Sequence, residues 1–260
     1  MTDAGVTDRP PLRAPRLEPG DLVTVLSPAS SPTRHHLDDT VAELESWGFR
    51  VKVGEHTLAE HGPMAGTDDQ RLADLNEALR NPEVRAIVAS RGGAGAFRIS
   101  HRLDVEAARR DPKPVVGFSD ITNIHLSLWN QIGLATIHGC VGRNQVAADV
   151  RSLLTRPDGL MVHAEPDVYS SAIVVPGRAE GMLVGGNLRE LAGMVGAGLP
   201  PLEGKIVFIE DLRHIGIGRT HARTHVILLI QDLRVRVVNA ITGELLRDLT
   251  IDPGKDYQPR

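Results

Sequence analysis

The stretch PVVGFSDITNIHLSLW, residues 114–129, places a serine at a corner. A strand-like apolar run stops at Gly117-Phe118-Ser119-Asp120, and helical spacing resumes after it. Two kinds of chemistry fit that placement. A tight strand-to-helix turn can lift a serine hydroxyl clear of a sheet as a nucleophile, with the backbone N–H of the next residue, here Asp120, stabilising a developing oxyanion. The same serine can simply cap the helix by accepting a backbone N–H. The usual nucleophile elbow has glycine two positions after the serine, whereas this chain has Ile121, so the residue types alone leave both readings open.

A second corner follows another apolar run at Arg91-Gly92-Gly93-Ala94-Gly95-Ala96. It contains G-x-G, but Arg98 stands where a dinucleotide fingerprint needs its third glycine and Asp104 comes too early for a ribose acid, so no cofactor is expected. Unhindered amides at Gly92 and Gly93 can supply another oxyanion donor, or the segment can be a tight turn without a ligand. Gly185-Gly186-Asn187 and Ile209-Glu210-Asp211 are less specific. Among the histidines, neither His125 nor His138 has a spacing that identifies a base, and His214, His221 and His225 read as loop residues. His221 and His225 stand four apart but lack a carboxylate third ligand, so no metal is expected.

These corners need elements to hold them. Residues 21–26 read as a short buried strand, and Leu37, Val41, Leu44 and Trp47 have helical spacing that ends at Gly48. Residues 49–53 alternate as a second strand. Thr67 and Asp68 open a helix that runs to Asn81-Pro82, and Ala86–Ala89 is a third strand leading into the glycine corner. Residues 115–118 are the fourth strand, followed by a helix over 120–131. This alternation predicts an α/β fold, a mostly parallel sheet flanked by helices, with both chemical corners at the carboxyl ends of the strands. A second strand-turn-helix covers GRAEGMLVGGNLRELAGMVG, then a strand over 205–209. From residue 219 the chain alternates like a β-hairpin with Thr242-Gly243 in its turn.

The expected organisation is a disordered leader over 1–17, an N-terminal α/β domain over 18–141, a linker over 142–176, a truncated second α/β domain over 177–217 and a β-hairpin tail over 218–260. With 260 residues, 41% of them hydrophobic and 24% charged, the chain has an ordinary globular composition. A net charge of −4 argues against a general nucleic-acid or anionic-membrane binder and favours a small or peptidic partner. No apolar signal region or membrane span is read, and the single Cys140, expected in the core, suits a reducing, cytoplasmic compartment.

Taken together, the corners resemble the serine LD-carboxypeptidase family, which includes muramoyltetrapeptide carboxypeptidases and microcin self-immunity peptidases. The resemblance is carried in order by GDLVTVLSPAS at 20–30, AGTDDQRLADLNEALRNPEVRAIVASRGGAGAFRI at 65–99, GFSDITNIHLSLWNQIGLATIHG at 117–139, GMLVGGNLREL at 181–191 and IVFIED at 206–211. It implies a metal-free intracellular peptidase of two domains that cuts an amide between an L-centre and a D-residue. The substrate would be a murein tetrapeptide losing its terminal D-alanine, or a peptide-nucleotide toxin, and a homodimer is common in the family. By the same resemblance Ser119 is the nucleophile and Glu210 orients the catalytic histidine. The amides near Gly93 and at Asp120 form the oxyanion hole, and Gly92 and Asn187 lie by the substrate.

The resemblance weakens after Asp211, where the family later presents its base in a Gly-His motif. No such pair follows here, and residues 218–260 instead resemble the end of actinobacterial insertion-sequence integrases. Impaired catalysis is therefore expected unless His214, His221 or His225 replaces the base. The alternatives are a remnant that only binds muropeptide and a nucleic-acid-associated fusion, the latter disfavoured by the net charge.

Overall fold

A computed structural model describes residues 10–142, 145–156 and 177–210, together with strands and one turn between 214 and 258. The chain divides into two compact units, residues 1–210 and 211–260.

The first unit is built on β1 (Leu22–Leu26), β2 (Arg50–Val53), β3 (Val84–Ala89), β4 (Val115–Gly117) and β5 (Ile137–His138), all parallel in the order β2-β1-β3-β4-β5. Its helices are α1 (Arg34–Ser46), α2 (Asp68–Arg80), α3 (Ala96–Ile99), α4 (Val105–Arg110), α5 (Thr122–Ile132) and α6 (Gln145–Thr155). Side chains of a strand alternate between its faces, so Ile87 and Val115 enter one core with Leu75, Leu79, Ile124 and Leu128. Ala86, Val88 and Val116 enter the other with Leu37, Leu44 and Leu154. Burial of both faces explains why these strands read as continuous apolar runs.

The helix signals behave as expected at two places. Thr67 and Gln70 close a reciprocal capping box at the start of α2, and Gly48, just past α1, has φ +93°. Beyond the first sheet, β6 (Met182–Asn187) pairs in parallel with β7 (Lys205–Glu210), and α7 (Leu188–Gly193) follows β6. Val184 and Leu191 pack with Leu126 of α5, which fixes β6 and α7 against the helix that follows Ser119.

Four expectations need correction. Residues 10–17 are packed, not disordered: Leu12 N–H donates to Gly133 O at 2.9 Å, Leu17 N–H donates to Leu154 O at 2.8 Å, and Leu17 is 2% exposed. Gly185-Gly186-Asn187 continues β6 as strand and forms no turn. Cys140 is half-buried and not a full core residue. Thr242 does lie in a hairpin turn, between β10 (Arg234–Asn239) and β11 (Leu245–Thr250), but β9 (Val226–Gln231) adds a third antiparallel strand on the other side of β10. The second unit also contains β8 (His214–Ile215) paired with β12 (Tyr257–Gln258). Among the described residues no helix is long and apolar enough to cross a membrane.

Candidate active site

Ser119 occupies the corner between β4 and α5, and its backbone has φ +58°, the one left-handed conformation outside glycine among the described residues. Such a conformation costs on the order of 1 kcal/mol or more in a residue with a Cβ, and local packing must enforce it. Gly117 supplies the room. A Cβ there would come within 2.5 Å of Ile121 Cγ2, so only glycine lets the short 3-10 turn Ser119–Ile121 fold back onto the strand end. Ser119 is the first residue of that turn, and the N-cap positions of the turn and of α5 are held by Phe118 and Ile121, so Ser119 does not stand where a capping residue stands.

The glycine corner lies directly against this serine. A Cβ on Gly92 would stand 2.7 Å from Ser119 Cβ and 3.1 Å from Ser119 Oγ. Gly93, with φ +124°, packs onto Ser30 of the β1–α1 loop, whose hydroxyl accepts the Ala94 N–H at 3.1 Å and donates to Pro63 O at 2.5 Å. No described group accepts a hydrogen bond from the Gly93 or the Asp120 amide. Ser119 is thus a strained residue packed directly against the glycine corner.

The Asp120 carboxyl turns inward. It accepts the Ala96 N–H at 2.8 Å, and Asn123 Nδ2 donates to it at 3.2 Å and to Glu190 Oε2 at 2.7 Å. Burial, reinforced by the negative Glu190, raises its pKa to about 7 against the opposing hydrogen bonds from Ala96 and Asn123. The carboxyl thus joins the start of α3, the serine corner and α7.

A second polar group forms where three strands end. His138 pairs in register with Gly117, and its Nε2 lies 3.5 Å from Glu210 Oε2. Its ring stands edge-on to Phe208 with centroids 5.2 Å apart, and burial lowers its pKa. Asn187, opposite Glu210 in the β6–β7 register, donates to Glu210 Oε2 at 3.4 Å. The same Asn187 side chain accepts the Arg189 and Glu190 amides as the N-cap of α7, and its backbone N–H donates to Thr122 Oγ1 at 3.0 Å. One side chain therefore holds both the glutamate and the helix. His125, on α5, donates through Nε2 to Gly117 O at 3.0 Å, and burial drives its pKa down to about 4. It stays neutral and supports the floor of the corner.

The structure thus brings Gly92, Gly93, Ser119 and Asp120 together, and joins Asn187 to Glu210. The spacing of residues did not reveal His138, His125, Asn123, Glu190 or Ser30 as parts of these networks. The only local signal was the Asp120/Asn123 separation of three on a helix start. His214 belongs to the second unit, while Asp211, His221 and His225 lie outside the described residues. Among the described residues no three His, Cys, Asp or Glu side chains gather as a metal cage.

Residues 23–139 match the sequence pattern described as the LD-carboxypeptidase N-terminal domain. The chain is 35% identical over 214 residues to a putative carboxypeptidase of Streptomyces coelicolor, covering 77% of this chain and 68% of that protein. It is 39% identical over 206 residues to a probable murein peptide carboxypeptidase of Bacillus subtilis, covering 75% and 64%. Among solved structures, an MccF-like protein from Bacillus anthracis superposes with a TM-score of 0.69 at 25% identity, over 77% of this chain and 70% of that one. The structure of MccF, the microcin C7 self-immunity protein, in complex with glutamyl sulfamoyl guanosine gives 0.68 at 26% identity, over 79% and 72%. The chain spans about two thirds of the length of the curated relatives it matches. The integrase likeness of residues 218–260 gains no support from these comparisons.

Proposed function

Because the chain belongs to the LD-carboxypeptidase family, we propose that its site cleaves the amide between an L-centre and a terminal D-residue, releasing D-alanine from a murein tetrapeptide in the cytoplasm. The observation that carries this reading is Ser119, held in a left-handed conformation against Gly92 and outside the N-cap positions of the turn and of α5.

In this reading the Ser119 hydroxyl oxygen attacks the scissile carbonyl carbon while its proton passes to a base. The carbonyl oxygen becomes an oxyanion between the Gly93 and Asp120 amides. Collapse of that intermediate expels the D-alanine amine, and water then hydrolyses the acyl-serine. Gly92 shapes the substrate wall. Glu210 serves as the carboxylate that orients an imidazole and stabilises its cation, with Asn187 holding it.

The base sets the rate. A serine triad lacking one member keeps only the residual catalysis of binding and oxyanion donors, so turnover depends on the imidazole that Glu210 orients. The test is incubation of the purified protein with a murein tetrapeptide and quantification of released D-alanine, with Ser119→Ala alongside. Release that vanishes in Ser119→Ala supports the reading. Release that persists in Ser119→Ala would refute the nucleophile. An aminoacyl sulfamoyl nucleoside assayed in parallel distinguishes the peptide-nucleotide substrate class.

A further inference from the structure

We infer that Arg91 is the specificity residue for the substrate's terminal carboxylate. This rests on the carboxypeptidase reading above. A carboxypeptidase must tell a chain end from an internal bond, and the chemical difference is a full negative charge one residue beyond the scissile amide. Recognition of that charge requires a cation beside the nucleophile, fixed at its root and not neutralised by the protein itself.

Arg91 is the arginine rooted at this corner, one residue before the glycine that presses on Ser119. The residue before it is anchored: Ser90 N–H donates to Leu26 O at 2.9 Å, its hydroxyl lies 2.6 Å from Ser27 Oγ, and its carbonyl is 3.0 Å from His36 Nε2. The residue after it, Gly92, is the one whose backbone presses on Ser119. Arg91 therefore leaves a backbone held on both sides, one peptide from the nucleophile's wall, yet its side chain is exposed. Nearby arginines are already neutralised, Arg71 and Arg98 by Asp68 and Arg102 by Asp69. Arg91 has no carboxylate partner among the described residues, and its described hydrogen bond is a long one of 3.4 Å from Nη1 to Ser31 O. A guanidinium presents parallel N–H donors that match a carboxylate in two-point contact, which a lysine cannot reproduce. That one long contact is the described hydrogen bond that a bound carboxylate would replace.

The experiment measures binding, so it does not depend on turnover. Ser119→Ala protein, carrying Arg91, Arg91→Lys or Arg91→Ala, is titrated calorimetrically with a murein tetrapeptide and with the same peptide ending in a carboxamide. The inference expects the free acid to bind about tenfold or more tightly than the amide when Arg91 is present. Arg91→Ala should bring the acid down to the affinity of the amide, and Arg91→Lys should keep part of the preference. Unchanged amide affinity across the three proteins shows that the site itself is intact. An acid-over-amide preference that survives Arg91→Ala overturns the Arg91 assignment alone. Failure of both peptides to bind any of the proteins overturns the carboxypeptidase reading, and the Arg91 assignment with it.

Discussion

Gly92 and Ser119 touch so closely that a single methyl group on the glycine would lie 2.7 Å from the serine Cβ. Both partners are tied to their surroundings, since Gly92 O also accepts the Ser30 N–H at 3.4 Å and the turn that begins at Ser119 brings Ile121 back onto Gly117. In the proposed mechanism this contact sets where a substrate carbonyl can sit between nucleophile and backbone donors.

Replacing Gly92 by alanine should therefore damage the site with little damage to the fold. The added methyl meets Ser119 itself and must push the serine or the glycine loop aside. Labelling of Ser119 by an active-site phosphonofluoridate should slow by about tenfold or more, since small displacements of reacting groups carry large rate penalties. Far-ultraviolet circular dichroism should be unchanged. Labelling at the parent rate would show that the contact has no role in reactivity.

Strain at Ser119 makes a second expectation. At φ +58° glycine pays no penalty for a Cβ, whereas alanine pays the same one as serine. Ser119→Gly should thus be more stable than Ser119→Ala by about 1 kcal/mol in urea unfolding, although both lose the nucleophile. The ordinary preference for alanine, seen wherever φ is negative, would indicate an unstrained corner.

The parts of this architecture that sequence made legible are those governed by local periodicity. The strands β1 to β4, the capping box at Thr67 and the glycine closing α1 follow from apolar spacing and backbone chemistry within a few residues. Ser119 was ambiguous because cap and elbow share one residue pattern. What decided between them was the contact of Ile121 with Gly117 and of Gly92 with Ser119, the latter across nearly thirty positions on the order of one β-α unit. The His138–Glu210 pair depends on two separate parallel registers, β4 with β5 and β6 with β7, which no spacing encodes. Leu12 and Leu17 looked like leader because they sit among prolines without a period, yet each has a backbone partner waiting at Gly133 or Leu154.

Asn187 offers a test of how the glutamate is held. Its side chain caps α7 and also reaches Glu210, so Asn187→Ala should cost about 1–2 kcal/mol of stability through loss of the cap. Asn187→Ser restores a capping oxygen but no amide donor. The serine variant should recover most of the stability without recovering the parent rate of D-alanine release. Recovery of both would assign Asn187 to capping alone.

Two buried groups should tilt the pH dependence of stability in opposite directions. Asp120 has a folded pKa of about 7 against an ordinary 3.8, so between those values the folded protein binds a proton that the unfolded chain does not. Its contribution is therefore unfavourable above about pH 7 and disappears as pH falls below 3.8, with a span of at most about 4 kcal/mol. His125 has a folded pKa of about 4 against 6.5, so the folded protein resists protonation and loses stability as pH falls from 6.5 to 4, by at most about 3 kcal/mol. His138, also lowered by burial, adds to the histidine side of the balance. In the parent protein the two slopes oppose each other between pH 4 and 6.5. Asp120→Asn keeps an oxygen for the Ala96 amide but removes the carboxyl, and it should expose a steep loss of stability on acidification. His125→Gln should expose the reverse, a protein that gains stability as pH falls from 7. Urea midpoints at pH 4.5, 6 and 8 for the parent and the two variants measure both slopes, and parallel curves for all three would remove Asp120 and His125 from the proton balance of the fold.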